Sequence, residues 1–223
     1  MNSTSSHFMN DTTQWYQNLT NSQKYWVRNI TPECLKNAVV IDFEGPKTGP
    51  PELVGVMHNG QFQTIFFSNV FESCVPYYKN SKVQPFNEFV GWINTLIAEG
   101  SKVIAFSTLE GYYLLPNVLN DNISFWYRDA HKYFKNHSSL WNGIRKPRPF
   151  DLSAVLKRLN IPERQYGFQQ ASQRIKFVKR HLEAGKIFDN LTPTAKAKMT
   201  KVLRYNEDDV RCLISAIEAS FEY

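Results

Sequence analysis

Cysteine is scarce in this chain of 223 residues: Cys34, Cys74 and Cys212 are odd in number, widely separated and without a CxxC pair. That excludes a disulfide framework and a cysteine-held zinc site, and it predicts three inert core thiols in a reducing compartment. Long hydrophobic runs are missing as well. No apolar stretch approaches the roughly 20 residues that cross a bilayer. The opening MNSTSSHFMNDTTQW has neither the basic nor the apolar part of a secretory signal. The expectation is therefore a cytoplasmic protein with no membrane partner. There is no internal repeat or low-complexity tract. Charge of one sign does not dominate: 26 Lys and Arg against 20 Asp and Glu leave a net +6. Such an excess permits a polyanionic partner without identifying one.

What is present suffices for a folded core, since 42% of the residues are hydrophobic. Residues 1–30 read as a polar N-terminal extension, with a short helix in NSQKYWVRNI, and residues 31–223 as one domain. NAVVIDFEG, residues 37–45, is the first strand. ELVGVMHNGQFQTIFFS follows as two strands joined at Asn59-Gly60, a strong two-residue hairpin signal. In PFNEFVGWINTLIAEG, Phe86, Phe89, Val90, Ile93, Leu96 and Ile97 recur at helical spacing and Gly100 ends the run. KVIAF is then a short buried strand, and a helix begins near Thr108. Residues 121–149 are aromatic and basic and read as helices and a loop. The last third is helical by periodicity. The predicted class is α/β: a mixed sheet with a three-stranded antiparallel start plus parallel strands, and helices packed on both faces.

Three acidic features stand out. Side chains alternate along a strand, so Asp42 and Glu44 point the same way from the end of the first one. Two like charges about 6–7 Å apart repel by roughly 2–3 kcal/mol at an effective dielectric near 20. Either a proton or a cation sits between them, or the strand ends here and both acids face water beside the turn marked by Gly45, Pro46, Gly49, Pro50 and Pro51. The second feature is RYNEDDVRCLISAIEA, where Tyr205 and Asp209 stand four apart on one helical face, and Asp209 borders the apolar stripe of Val210, Leu213, Ile214 and Ile217. A structural reading competes: Asp209 in a first helical turn, favoured by the macrodipole, with Asn206 as N-cap. Glu207 and Asp208 read as solvent-facing. Third, Glu110 lies where a buried strand gives way to a helix, the part of an α/β sheet where sites are built. Acids are also routine in a helix's first turn.

Taken together, these motifs resemble the DEDD-type (DnaQ-like) 3′–5′ exonuclease superfamily with its ribonuclease-H-like fold, over residues 38–219. The likeness is greater to the branch of predicted ribonuclease-H-like exonuclease domains. VVIDFEG is similar to the first motif, with Asp42 and Glu44; FSTLEGYYLL to the second, with Glu110; YNEDDV to the third, with Tyr205 and Asp209. The segment PFDLSAVLKRLN is similar to the intervening DL segment of that branch. Tyr at position 205, with no His near that helix, indicates the Tyr subtype. Where the branch often has His and Tyr before the second acid, this chain has Phe106, Ser107 and Thr108.

The resemblance implies hydrolysis of phosphodiester bonds in single-stranded DNA or RNA, from the 3′ end, with two divalent cations. Hard carboxylate oxygens select Mg²⁺ or Mn²⁺ over zinc. Asp42 would bridge both ions, Glu44 and Glu110 complete their shells, and Asp209 hold the ion that activates water. Tyr205 would orient that water; a phenol with a pKa near 10 is a poor base at neutral pH. Asp151 reads either as an N-cap or as a support or substrate contact, a role for which Ser107, Arg174 and Lys176 are also candidates. Lys132, Arg145, Lys146, Arg148, Lys179 and Arg180, interleaved with Tyr127, Tyr133, Trp141, Tyr166 and Phe177, are candidates to track a strand by phosphate pairing and base stacking. A solvated helix face is the competing account. A structure-selective endonuclease on the same scaffold, or a non-catalytic nucleic-acid-binding module, are the alternative functions.

Overall fold

The computed structural model describes residues 14–46, 49–162 and 170–223; the first thirteen residues of the polar extension and Tyr166 lie outside the described residues. Its centre is a six-stranded mixed sheet. The strands β1 (Ala38–Glu44), β2 (Leu53–His58), β3 (Gln61–Phe66), β4 (Ser81–Val83), β5 (Lys102–Ala105) and β6 (Tyr127–Asp129) are arranged in the order β4-β3-β2-β1-β5-β6. β1, β2 and β3 form an antiparallel meander, β5 joins β1 in parallel and β6 joins β5 in parallel. Asn59 and Gly60 turn the β2–β3 hairpin with φ of 50° and 73°, the double positive φ of a type I′ turn.

Two strands lie outside the sequence reading. β4 pairs in parallel with β3, and β6 lies within the stretch 121–149 read as helices and loop. Three residues are too few to show an alternation, and in β6 two of the three are charged.

The strands bury both faces. Val39, Ile41, Val54, Val56 and Val103 pack with Phe89, Val90 and Ile93 of a long helix, which is α3 (Phe86–Ala98) after the short α1 (Asn21–Val27) and α2 (Pro32–Lys36). The same layer includes Leu114 of α4 (Thr108–Leu114) and Trp126 of α5 (Ile123–Trp126). Val40, Met57 and Ile104, one residue out of phase, pack on the opposite face with α6 (Ala130–Asn136), α7 (Leu152–Arg158) and the second half of α9 (Pro193–Ser220). A third cluster joins α8 (Ala171–Glu183) and the first half of α9 to Leu53, Phe66 and the 3₁₀ segment Asn69–Tyr77. Within residues 14–30, Val27 is fully buried, Trp15, Tyr16 and Leu19 pack against the core, and the Trp15 indole donates to the Thr108 carbonyl at 3.2 Å.

The final helix corrects one expectation. It starts at Pro193 with Thr192 as N-cap, the Thr192 hydroxyl accepting from the Ala195 N–H. Asn206 is therefore no cap but a mid-helix residue, fully buried. Asp209 lies more than four turns in, beyond the reach of the helix macrodipole. The start signal in TPTA, Pro at the first helical position behind a capping Thr, is the stronger one.

Candidate metal centre

Three elements bring the acids together. The C-terminal end of β1 carries Asp42 and Glu44, α9 crosses that end on the Val40 face, and α4 starts just beyond the end of the neighbouring β5. One carboxylate oxygen each from Asp42, Glu44 and Asp209 lies within 4.8 Å of the others. Oxygens on opposite sides of one Mg²⁺ are about 4.2 Å apart, so this trio fits a hard divalent ion with little movement.

Beside the trio is a cavity of about 260 Å³ lined by Asp42, Ser107, Glu110, Asp151, Tyr205 and Asp209, with Ile41, Phe106, Leu152 and Leu213 as its apolar wall. Glu110 is outside the tight trio. It is 6% exposed and its Oε2 accepts the Ser107 hydroxyl at 2.6 Å, while Ser107 also caps α4 through the Leu109 N–H. Asp151 caps α7, accepting the Ala154 N–H at 2.9 Å, and lines the cavity as well.

Electrostatics mark the same place. Burial, then the charges of Glu44, Asp209 and Glu110, push the Asp42 carboxyl well above its ordinary range, against a lowering hydrogen bond from Asn206. Burial pushes Glu110 up to about 7, with the Ser107 hydroxyl acting in the other direction. Packed without a cation, the cluster favours protons; a divalent ion would restore the charged forms.

Asn206 and Asp129 carry roles that the sequence reading did not assign. The Asn206 amide donates to Asp42 Oδ2 at 2.7 Å and to the Asp42 carbonyl at 2.9 Å, fixing the strand end and one carboxylate oxygen. Room for it comes from Gly55, the β2 residue paired with Asp42: a Cβ there would lie 2.1 Å from Asn206 Oδ1. Gly55→Ala should therefore push Asn206 off Asp42 and destabilise the protein by about 1–3 kcal/mol, read from urea unfolding, with metal-dependent activity falling alongside. Asp129, fully buried at the end of β6, caps α6 through the Lys132 N–H at 2.9 Å, and burial raises its carboxyl to about 7. Its signal was available: an acid directly before a helical run.

Several candidates lie elsewhere. Tyr127 and Trp141 are core residues, the Tyr127 hydroxyl donating to the Ser107 carbonyl and the Trp141 indole to the Phe134 carbonyl at 2.8 Å, so neither offers a face to a base. Tyr133 is half-buried with its hydroxyl on Ser220. Lys132 lies over the Tyr16 ring. Arg174 and Lys176 are on α8, away from the cavity lining. Glu207 keeps a solvent-facing side chain, paired with Arg211 at 2.7 Å on the helix surface, whereas Asp208 is half-buried. Burial raises the thiols of Cys34 and Cys74, the latter to about 12, which fits inert cysteines. Among the described residues no helix is long and apolar enough to cross a membrane. Comparisons with family models, curated proteins and solved structures found no match to this chain.

Proposed function

We propose that this protein is a metal-dependent 3′–5′ exonuclease of single-stranded nucleic acid, with a ribonuclease-H-like fold and the Tyr-subtype DEDD site. The observation that carries this reading is the convergence of Asp42, Glu44 and Asp209 to within 4.8 Å at the end of the central strand. Residues 167 positions apart in sequence meet there, and the charges of Glu44, Asp209 and Glu110 join burial in raising the Asp42 carboxyl. The sheet supports it: an antiparallel three-stranded start continued by parallel strands is what the family resemblance implies.

Asp42, Glu44 and Asp209 would hold Mg²⁺ or Mn²⁺, with Glu110 completing the set from the cavity wall. When bound, the ions act as Lewis acids toward the phosphoryl oxygens and lower the pKa of a coordinated water. The chain's own contribution is placement. Asn206 holds Asp42 Oδ2 and so orients the rest of that carboxylate toward the trio. Tyr205, one turn before Asp209 on the cavity wall, positions the attacking water through its hydroxyl. The apolar wall of Ile41, Phe106, Leu152 and Leu213 limits bulk water around the reacting phosphate.

An oligonucleotide labelled at its 5′ end, incubated with Mn²⁺, tests the reading: a ladder shortening from the 3′ end supports it. Cuts in a circular single strand would replace it with an endonuclease, and binding without cleavage with a non-catalytic module. Tyr205→Phe should slow hydrolysis by about 10- to 100-fold while Mn²⁺ affinity, followed by calorimetry, stays unchanged. Equal loss of both would make Tyr205 a packing residue instead.

A further inference from the structure

The positive charge of the chain is concentrated in one place. Residues 170–204 contain nine Lys and Arg and two Asp and Glu, a net +7 in a chain whose total is +6. With only Glu183 and Asp189 in that stretch, most of these cations cannot be neutralised within it. The segment is the helix pair formed by α8 and the first half of α9, packed as one layer through Ile175, Val178, Leu182, Ala195 and Met199.

This layer is fastened to the acidic end of the sheet. Lys179 pairs with Glu52 at 2.6 Å, and the Glu52 N–H donates to the Glu44 carbonyl at 2.8 Å. On α9, Lys198, Lys201, Tyr205 and Asp209 follow at helical spacings of three and four and share one stripe. A rise of 1.5 Å per residue puts Lys201 about 6 Å and Lys198 about 10 Å along the axis from Tyr205. The Lys198 ammonium lies 4.8 Å from the centre of the Phe177 ring on α8, and Phe177 and His181 face each other at 4.6 Å, both half-buried. Lys176 and Arg180 stand exposed on the same helix. Cations in a row beside partly exposed rings, ending at a carboxylate trio, match the two needs of a single strand: phosphate neutralisation and a surface for bases.

We infer that the α8–α9 helix pair is the docking face for the single-stranded substrate, its phosphates running along the Lys198–Lys201 stripe toward Asp209. This rests on the nuclease reading for the identity of the strand, but binding is measurable without hydrolysis. A fluorescein-labelled 20-residue oligothymidylate in EDTA, followed by anisotropy across a salt series, is the probe. Lys198→Gln with Lys201→Gln should weaken binding about tenfold at low salt and flatten the log Kd against log salt slope by about 1.4, at roughly 0.7 per lost contact. Lys176→Gln with Arg180→Gln, at exposed positions, should weaken binding in the same direction and gives the answer if the first pair fails to fold. Lys36→Gln with Lys135→Gln, exposed on α2 and α6, should leave affinity and slope alone.

Equal losses in that control, no loss in either helix-pair variant, or displacement of the probe by polyglutamate as readily as by unlabelled oligonucleotide would each overturn the assignment. A protein that binds in this way but never cleaves would keep the docking face and lose the nuclease. One that cleaves with unaltered binding in both helix-pair variants would do the reverse.

Discussion

Asp42→Ala is expected to reduce Mn²⁺-dependent hydrolysis by a thousandfold or more, about 4 kcal/mol of barrier, while leaving the metal-free fold about as stable as before. The two halves of this result have separate causes. Asp42 has Glu44 beside it on the same strand face, Asp209 within 4.8 Å and Glu110 on the wall of the same cavity, so its loss opens any cation site built there. In the metal-free protein, its removal takes away a carboxyl whose charged form is opposed first by burial and then by Glu44, Asp209 and Glu110. Against that stands one lost hydrogen bond from Asn206, about 0.5–1.5 kcal/mol, since the amide keeps its second bond to the residue-42 carbonyl. Single-turnover cleavage and urea unfolding in EDTA measure the two halves. Full activity in the variant would remove the proposed site; a loss of several kcal/mol would recast Asp42 as a structural residue.

The second large effect is a metal-dependent response to pH. Glu110 and Asp129 have folded pKa values raised to about 7 from ordinary values near 4, and Asp42 is raised too, in each case chiefly by burial. An acid raised in the fold keeps its proton where the unfolded chain has already released one. The stability it gives is therefore complete below about pH 4 and is lost as pH rises toward 7. At 1.36 kcal/mol per pKa unit, Glu110 alone is worth about 3 kcal/mol over this window, and Glu110 with Asp129 should lower the melting temperature by on the order of 10 °C between pH 5 and 8. Millimolar Mn²⁺ should flatten that fall, because the ion favours the charged forms of Asp42 and Glu110. The share due to Asp129, away from the trio, should persist and vanish in Asp129→Asn. Melting curves with identical pH slopes with and without Mn²⁺ would contradict the centre.

Much of this arrangement is legible in the chain because local rules and global packing agree there. Asn59-Gly60 names its turn, the apolar spacing of residues 86–97 names its helix, and the two-residue offset of Asp42 and Glu44 places them on the same face. Tyr205 and Asp209 can be paired from a spacing of four. What stays hidden is set by partners distant in sequence. Asn206 looks like a cap because polar residues usually are; only Gly55, 151 positions earlier, leaves the space that lets it turn inward onto Asp42. β4 and β6 depend on pairing with longer neighbours, and Tyr127 and Trp141 look like surface aromatics until the layers that cover them are in place.

The brevity of β4 and β6 has a further consequence, since they are the two borders of the sheet. A border strand offers unpaired amides and carbonyls to any passing chain, and the hazard grows with its length. Here each border strand is three residues long, leaving only Gln61–Gln63 of β3 beyond the cover of β4, and β6 is buried throughout. A second molecule has little to latch onto, so the protein should resist ribbon-like self-association even when concentrated.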